Sequence, residues 1–91
     1  MNKSDLINVV AKEAGLPKAA AERVVNTFLA KITDGLSRGE RVTLSGFGTF
    51  EVRKMKATTK KVPLTGQRVQ VPEHLRSAFI AGEGLKRVVR G

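Results

Sequence analysis

Residues 53–76 of this 91-residue chain cannot supply a hydrophobic core. They hold Arg53, Lys54, Lys56, Lys60, Lys61, Arg68 and Arg76 against a single acid, Glu73, with too few apolar side chains to bury the segment on itself. That withdraws a long stretch from a domain already small enough to bury only a modest fraction of its surface. The chain has no cysteine, so neither a disulfide nor a thiolate metal site can staple the fold. Self-association is the remaining route to a sufficient core. The basic stretch needs an anionic surface to lie on. Pro63, between Val62 and Leu64 and ahead of the turn pair Thr65-Gly66, has the form of a rigid wedge at its tip.

Charge is unevenly placed. The net formal charge is +9, from 17 Lys+Arg and 8 Asp+Glu. Residues 1–45 contribute only +2 of it and residues 46–91 contribute +7. The first part therefore reads as an assembly unit and the second as a binding unit for a phosphate polymer or another anionic surface. No apolar stretch approaches the roughly 20 residues of a membrane span, so no membrane partner is expected. Met1-Asn2-Lys3-Ser4-Asp5 lacks the apolar core of a signal peptide. The expectation is a soluble, intracellular protein.

The hydrophobic period divides the chain. Asn2 or Ser4 suits the N-cap of a first helix carrying Leu6, Val9 and Val10, which Gly15 ends. Pro17 fits the start of a second. Ala21, Val24, Val25, Phe28, Leu29, Ile32 and Leu36 give that helix a broad apolar stripe, closed at Gly39. The stripe is wider than the short first helix can cover; a sheet and a second copy of the chain are the two candidate covers. Arg41-Val42-Thr43-Leu44 then alternates as a half-buried strand, Ser45-Gly46 marks a turn, and 47–53 resumes as a strand with Phe50 and Val52 on one face. Strand character returns at 67–71 and stops at Pro72. Leu85, Val88 and Val89 pattern a short terminal helix with Lys86, Arg87 and Arg90. Phe28, Phe47, Phe50 and Phe79 read as core or dimer-interface residues, and His74 as a surface residue.

The run Leu44-Ser45-Gly46-Phe47-Gly48-Thr49-Phe50, the Pro63-Leu64-Thr65-Gly66 turn and the segment from Phe79 to Lys86 resemble the HU/integration host factor family of bacterial histone-like proteins. The resemblance runs through essentially the whole chain. It implies an α+β fold: an intertwined dimer with a helical base, an antiparallel sheet saddle and protruding β-ribbon arms. It implies one domain over 1–91: a mainly helical dimerisation part with the first strand (1–44), sheet and DNA-binding arm (45–76), and C-terminal helix (77–91). The implied DNA contacts are Lys3, Arg53, Lys54, Lys56, Lys60, Lys61, Val62, Pro63, Leu64, Arg68, Arg76 and Lys86, with Pro63 entering between base pairs. The implied partners are double-stranded DNA, including bent, nicked or junction forms, and a second copy of the chain; because a phosphate grip is not selective, RNA is a candidate secondary ligand. The implied place is the nucleoid of the bacterial cytoplasm. No cofactor and no metal are expected.

Departures from the family pattern are concentrated in the arm. Tips in the family more often read Arg-Asn-Pro-x-Thr-Gly; here the tip reads Lys61-Val62-Pro63-Leu64-Thr65-Gly66. Val62 has no polar group with which to read a base edge, which favours HU-like, sequence-tolerant binding over site-specific binding of the integration-host-factor kind. Thr58 and Lys60 stand where arginine and glycine are common, and Glu83 where a basic residue is frequent. A helix-turn-helix reader is disfavoured, because Lys18-Ala19-Ala20-Ala21 is not a basic recognition surface. An RNA module would want aromatics on an exposed sheet, and the chain has no Tyr or Trp. An enzyme is not expected: one isolated histidine, no cysteine, no metal-ligand spacing and no phosphate loop offer no catalytic set.

Overall fold

A computed structural model of the protein describes residues 1–90, which divide into two compact units, 1–34 and 35 onward. The described residues form an α+β chain of three helices and two antiparallel sheets.

The first unit is helical. Helix α1 spans Lys3–Ala14. Asn2 rather than Ser4 caps it: the Asp5 N–H donates to Asn2 Oδ1 at 2.9 Å and the Asn2 N–H donates to Asp5 Oδ2 at 3.0 Å. This reciprocal capping box satisfies two otherwise orphaned donors of the first turn. Gly15, at φ 66°, ends the helix, and Leu16 N–H reaches back to the Ala11 carbonyl. Helix α2 spans Lys18–Ser37, with the Pro17 carbonyl accepting from Ala21 N–H at 3.0 Å. Pro17 needs no donor at that position, so the helix begins without loss. Ile7 and Ala21 are the buried apolar residues of this unit, whereas Leu6, Val9, Val24, Phe28 and Leu29 are exposed.

The second unit carries the sheets. Strands β1 (Val42–Leu44), β2 (Gly48–Met55) and β5 (His74–Ala81) form a three-stranded sheet in the order β1-β2-β5, and β3 (Thr58–Lys61) pairs with β4 (Arg68–Val71) in a separate ribbon. Between β1 and β2 the Phe47 N–H donates to the Leu44 carbonyl, with Gly46 at φ 81° in the turn. Helix α3 spans Glu83–Arg90. Strand β5 is a departure from the sequence reading, which placed residues from 77 onward with the C-terminal helix and found no strand after Pro72. Its pairing with β2 runs unbroken from Met55↔His74 to Gly48↔Ala81, a non-local ladder that local patterning does not announce.

Register assigns the faces, because residues directly opposed in an antiparallel pair share one. Val42, Leu44, Phe50, Val52, Leu75 and Phe79 lie on one face of the sheet; Thr43, Thr49, Glu51, Arg53, Arg76 and Ile80 lie on the other. Phe79 packs against Phe50 and Phe47 at centroid separations of 4.8 and 5.5 Å, tilted by 47° and 48°. Gly48 makes this possible. A Cβ there would stand 2.5 Å from Phe79 Cζ and 2.7 Å from the Ile80 carbonyl oxygen. The turn before β2 also receives α3: Gly82 N–H donates to the Phe47 carbonyl at 2.8 Å, and a side chain at Gly84 would meet the Gly46 carbonyl at 3.0 Å.

The aromatic residues require one correction to the core alternative. Phe28, Phe47 and Phe79 are 51, 47 and 42 % exposed, and Phe50 is half-buried. Not one of the four is enclosed within a single chain, so intrachain burial does not account for them.

Candidate nucleic-acid interface

The basic segment is a two-part antiparallel ribbon. Its inner part is the outer end of the β2–β5 ladder and its outer part is the β3–β4 pair. The two parts are separated by the short links Lys56-Ala57 and Pro72-Glu73. A proline at the second link is consistent with the interruption, since it has no N–H to give a ladder. Every residue of β3 is exposed, and in β4 only Val71 is half-buried.

Register brings like charges together. Arg53 lies directly across from Arg76, and Lys61 directly across from Arg68. Opposed like charges destabilise a strand pair by some tenths of a kcal/mol to about 1 kcal/mol. The ribbon contains two such pairs, one in each part. A phosphate between the members of a pair removes the repulsion and adds charge-assisted hydrogen bonds.

Internal acids offset little of this. Arg53 Nε stands 3.5 Å from Glu51 Oε2, and Lys54 Nζ stands 3.0 Å from Glu73 Oε1, with more than half of the Lys54 and Glu73 side chains open to water. Exposed pairs of this kind contribute about 0–1 kcal/mol. Lys56, in the link, and Lys60, across from Val69, are exposed and have no ion pair of their own among the described residues.

The tip is closed by backbone bonds. Val62 N–H donates to the Gln67 carbonyl at 2.7 Å and Gly66 N–H donates to the Val62 carbonyl at 2.8 Å. Gly66 sits at φ 71°, a conformation that disfavours residues with a Cβ. Thr65 turns its hydroxyl inward to accept from Gln67 N–H at 3.3 Å. Val62 is half-buried, while Pro63 and Leu64 are exposed, Leu64 by 97 %.

The remaining sequence-derived candidates lie elsewhere. Lys86 is exposed on the first turns of α3, its N–H bonded to the Gly82 carbonyl at 3.0 Å. Lys3 opens α1 in the first unit, also exposed. His74 is exposed, with Nδ1 3.0 Å from the Pro72 carbonyl oxygen. The structure adds Gln70, opposite Thr59 and on the same ribbon face as Lys61 and Arg68. Sequence reasoning passed over Gln70 because facing depends on register. Among the described residues no group of His, Cys, Asp and Glu could hold a metal ion, and no helix is long and apolar enough to cross a membrane.

Comparison with known proteins bears on this ribbon. The family model for bacterial DNA-binding proteins matches residues 1–90. DNA-binding protein HU of Staphylococcus aureus (strain COL) is 43 % identical over 90 residues, which are 99 % of this chain and 100 % of that protein. HU of Geobacillus stearothermophilus is 41 % identical over the same shares. Among solved structures, the Anabaena HU–DNA cocrystal structure superposes with a TM-score of 0.90 at 37 % identity, covering 98 % of this chain and 97 % of that one. With a family match along its described length and full-length relatives well above 30 % identity, the chain belongs to the family of bacterial DNA-binding proteins that includes HU.

Proposed function

We propose that this protein is an architectural DNA-binding protein: a homodimer whose ribbon arms grip double-stranded DNA with little regard to sequence and bend it. The carrying observation is the pair of opposed like charges, Arg53–Arg76 and Lys61–Arg68, on an arm with hardly any buried side chain. Such a ribbon is unfavourable alone and is relieved by a polyanion. Lys54, Lys56 and Lys60 extend the cationic surface along the arm, and Lys86 and Lys3 supply further phosphate contacts from α3 and α1. Phosphate contacts release condensed counterions, so they give affinity without base discrimination.

Pro63 is the wedge. Proline is rigid and has no N–H to strand among stacked bases. Unstacking a step costs about a few kcal/mol, offset by contacts that only bent DNA reaches, a strategy for which HU and integration host factor are themselves type examples. DNA that is already bent, nicked or branched spares part of that cost, so such forms bind more tightly than intact duplex. The tip offers no free hydrogen-bonding side chain at Val62, Pro63 or Leu64, which favours this reading over site-specific binding. Phosphate grip also extends to RNA as a weaker secondary ligand. The role is structural, not catalytic, and its place is the bacterial nucleoid in the cytoplasm.

Exposed surface supports the dimer. The chain exposes 7529 Å², whereas a compact monomer of its 9.8 kDa mass exposes about 5,200 Å². The excess, about 2,300 Å², is shared by the arm and by the uncovered apolar residues of α1, α2 and the sheet. Permanent dimers bury roughly 2,000–5,000 Å² in total, or about 1,000–2,500 Å² from each chain. A second copy is the cover of matching size.

The test is a salt titration of affinity on unrelated duplexes, with DNA bending followed by energy transfer between end labels. Log affinity falls linearly with log salt, by roughly 0.9 per phosphate neutralised, and a flat profile rejects the electrostatic grip. Pro63→Ala keeps most of the affinity for nicked DNA but loses bending of intact duplex; unchanged bending removes the wedge.

A further inference from the structure

The tip carries a second apolar group that the phosphate grip does not use. Leu64 is 97 % exposed and stands directly after Pro63. A lone exposed leucine on a protein surface needs no explanation, but this one is held in place. The bonds from Val62 N–H to Gln67 and from Gly66 N–H to Val62 close the loop beneath it, and Thr65 turns its hydroxyl back into that loop. The crest is thereby reduced to two uncommitted side chains, Pro63 and Leu64, neither able to form a hydrogen bond. Two cations, Lys61 and Arg68, sit across from one another at the end of the β3–β4 ladder next to the tip.

Resting on the DNA-bending reading above, we infer that Leu64 sets which sites the arm prefers: it fills space opened beside the proline and thereby selects steps that are cheap to unstack. Burying a leucine side chain gains free energy only where a gap can open. Pyrimidine–purine steps open easily, mismatched steps still more so, and stiff G·C-rich stretches resist. Discrimination by an apolar crest is therefore discrimination by deformability. It carries no base code and no charge, so it leaves the salt dependence untouched.

The experiment compares the full-length protein with Leu64→Ala and Leu64→Gln on two duplexes of equal length, one G·C-rich and fully paired, one with mismatched central steps. Dissociation constants and salt slopes are measured for each. Because Leu64 is solvent-exposed, both variants retain the parent melting temperature. The expected result is a loss of about tenfold on the mismatched duplex for either variant, as removal of a buried leucine's contact implies, with little change on the paired duplex and identical salt slopes. Equal loss on both duplexes, or no loss on the mismatched one, overturns the role given to Leu64 while leaving the phosphate grip standing. A parent protein whose affinity ignores salt overturns the grip itself, and the inference with it.

Discussion

Replacing Arg76 by threonine separates what the ribbon needs for stability from what it needs for binding. Arg76 lies across from Arg53 in the β2–β5 ladder. Directly opposed residues have Cβ atoms about 4.5–5.5 Å apart; with the two side chains splayed to place their charges about 7 Å apart, the repulsion in water is about 0.6 kcal/mol. The Glu51 carboxylate near Arg53 Nε cancels part of it. Threonine keeps strand propensity and removes the charge. Arg76→Thr is therefore expected to stabilise the protein by about 0.5 kcal/mol, or roughly 2–4 °C in melting temperature for a domain of this size. Binding should move the other way. One phosphate contact fewer on each of the two arms lowers the salt slope by roughly 1.8, so a fourfold rise in salt weakens the variant about 12-fold less than the parent. Thermal unfolding at fixed protein concentration and anisotropy titrations at several salt concentrations measure both. A variant that melts lower and keeps the parent slope refutes the reasoning, since Arg76 would then be a packing residue with no phosphate.

Other substitutions test other parts of the structure. Gly48→Ala should cost at least about 1–3 kcal/mol, because the new methyl meets both the Phe79 ring and the fixed Ile80 carbonyl; an unchanged melting temperature would show that β5 shifts freely. Glu73→Gln frees Lys54 from its 3.0 Å partner on each arm and should steepen the salt slope by roughly 1.8 with stability altered by less than about 1 kcal/mol. Glu13→Gln on α1 is the control for net charge, and an equal change there would remove the specific role of the Lys54–Glu73 pair. Phe47→Ala should lower the melting temperature more at low protein concentration than at high, if a second copy covers that ring; a loss independent of concentration places its contacts within one chain.

Local features of this fold were legible in the sequence where the physics is local. The capping box needs only Asn2 and Asp5, and the helix ends need only Gly15 and Gly39. The turn at Gly46 and the tip at Gly66 are of the same kind. Strand β5 escaped because its order comes from β2: Leu75, Arg76 and Ser77 have no pattern that demands extension until Lys54, Arg53 and Val52 are set beside them. The site was legible as a composition and not as an arrangement. Seven basic residues in one stretch point to a polyanion, but that Arg53 meets Arg76 and Lys61 meets Arg68 depends on a register that no spacing rule supplies. The phenylalanines mark the other boundary. Their apolar setting predicts burial, whereas within one chain Phe28, Phe47 and Phe79 are exposed and Phe50 is half-buried.

Two local rules are broken in this chain, and their remedies differ in a way that ionic strength can resolve. Like charges face one another along the arm, and large apolar side chains stand open on the helices and the sheet. The first defect is electrostatic and, on the proposed reading, is relieved by phosphate; salt competes with that relief by screening and by opposing counterion release. The second is hydrophobic and, on the proposed reading, is relieved by a second copy; excluded salts such as sulfate strengthen that association. Assembly and DNA binding should therefore respond to sulfate with opposite signs. That opposition follows from placing the charge in 46–91 and the broad apolar stripe in α2. A chain whose single interface served both tasks would lose both together.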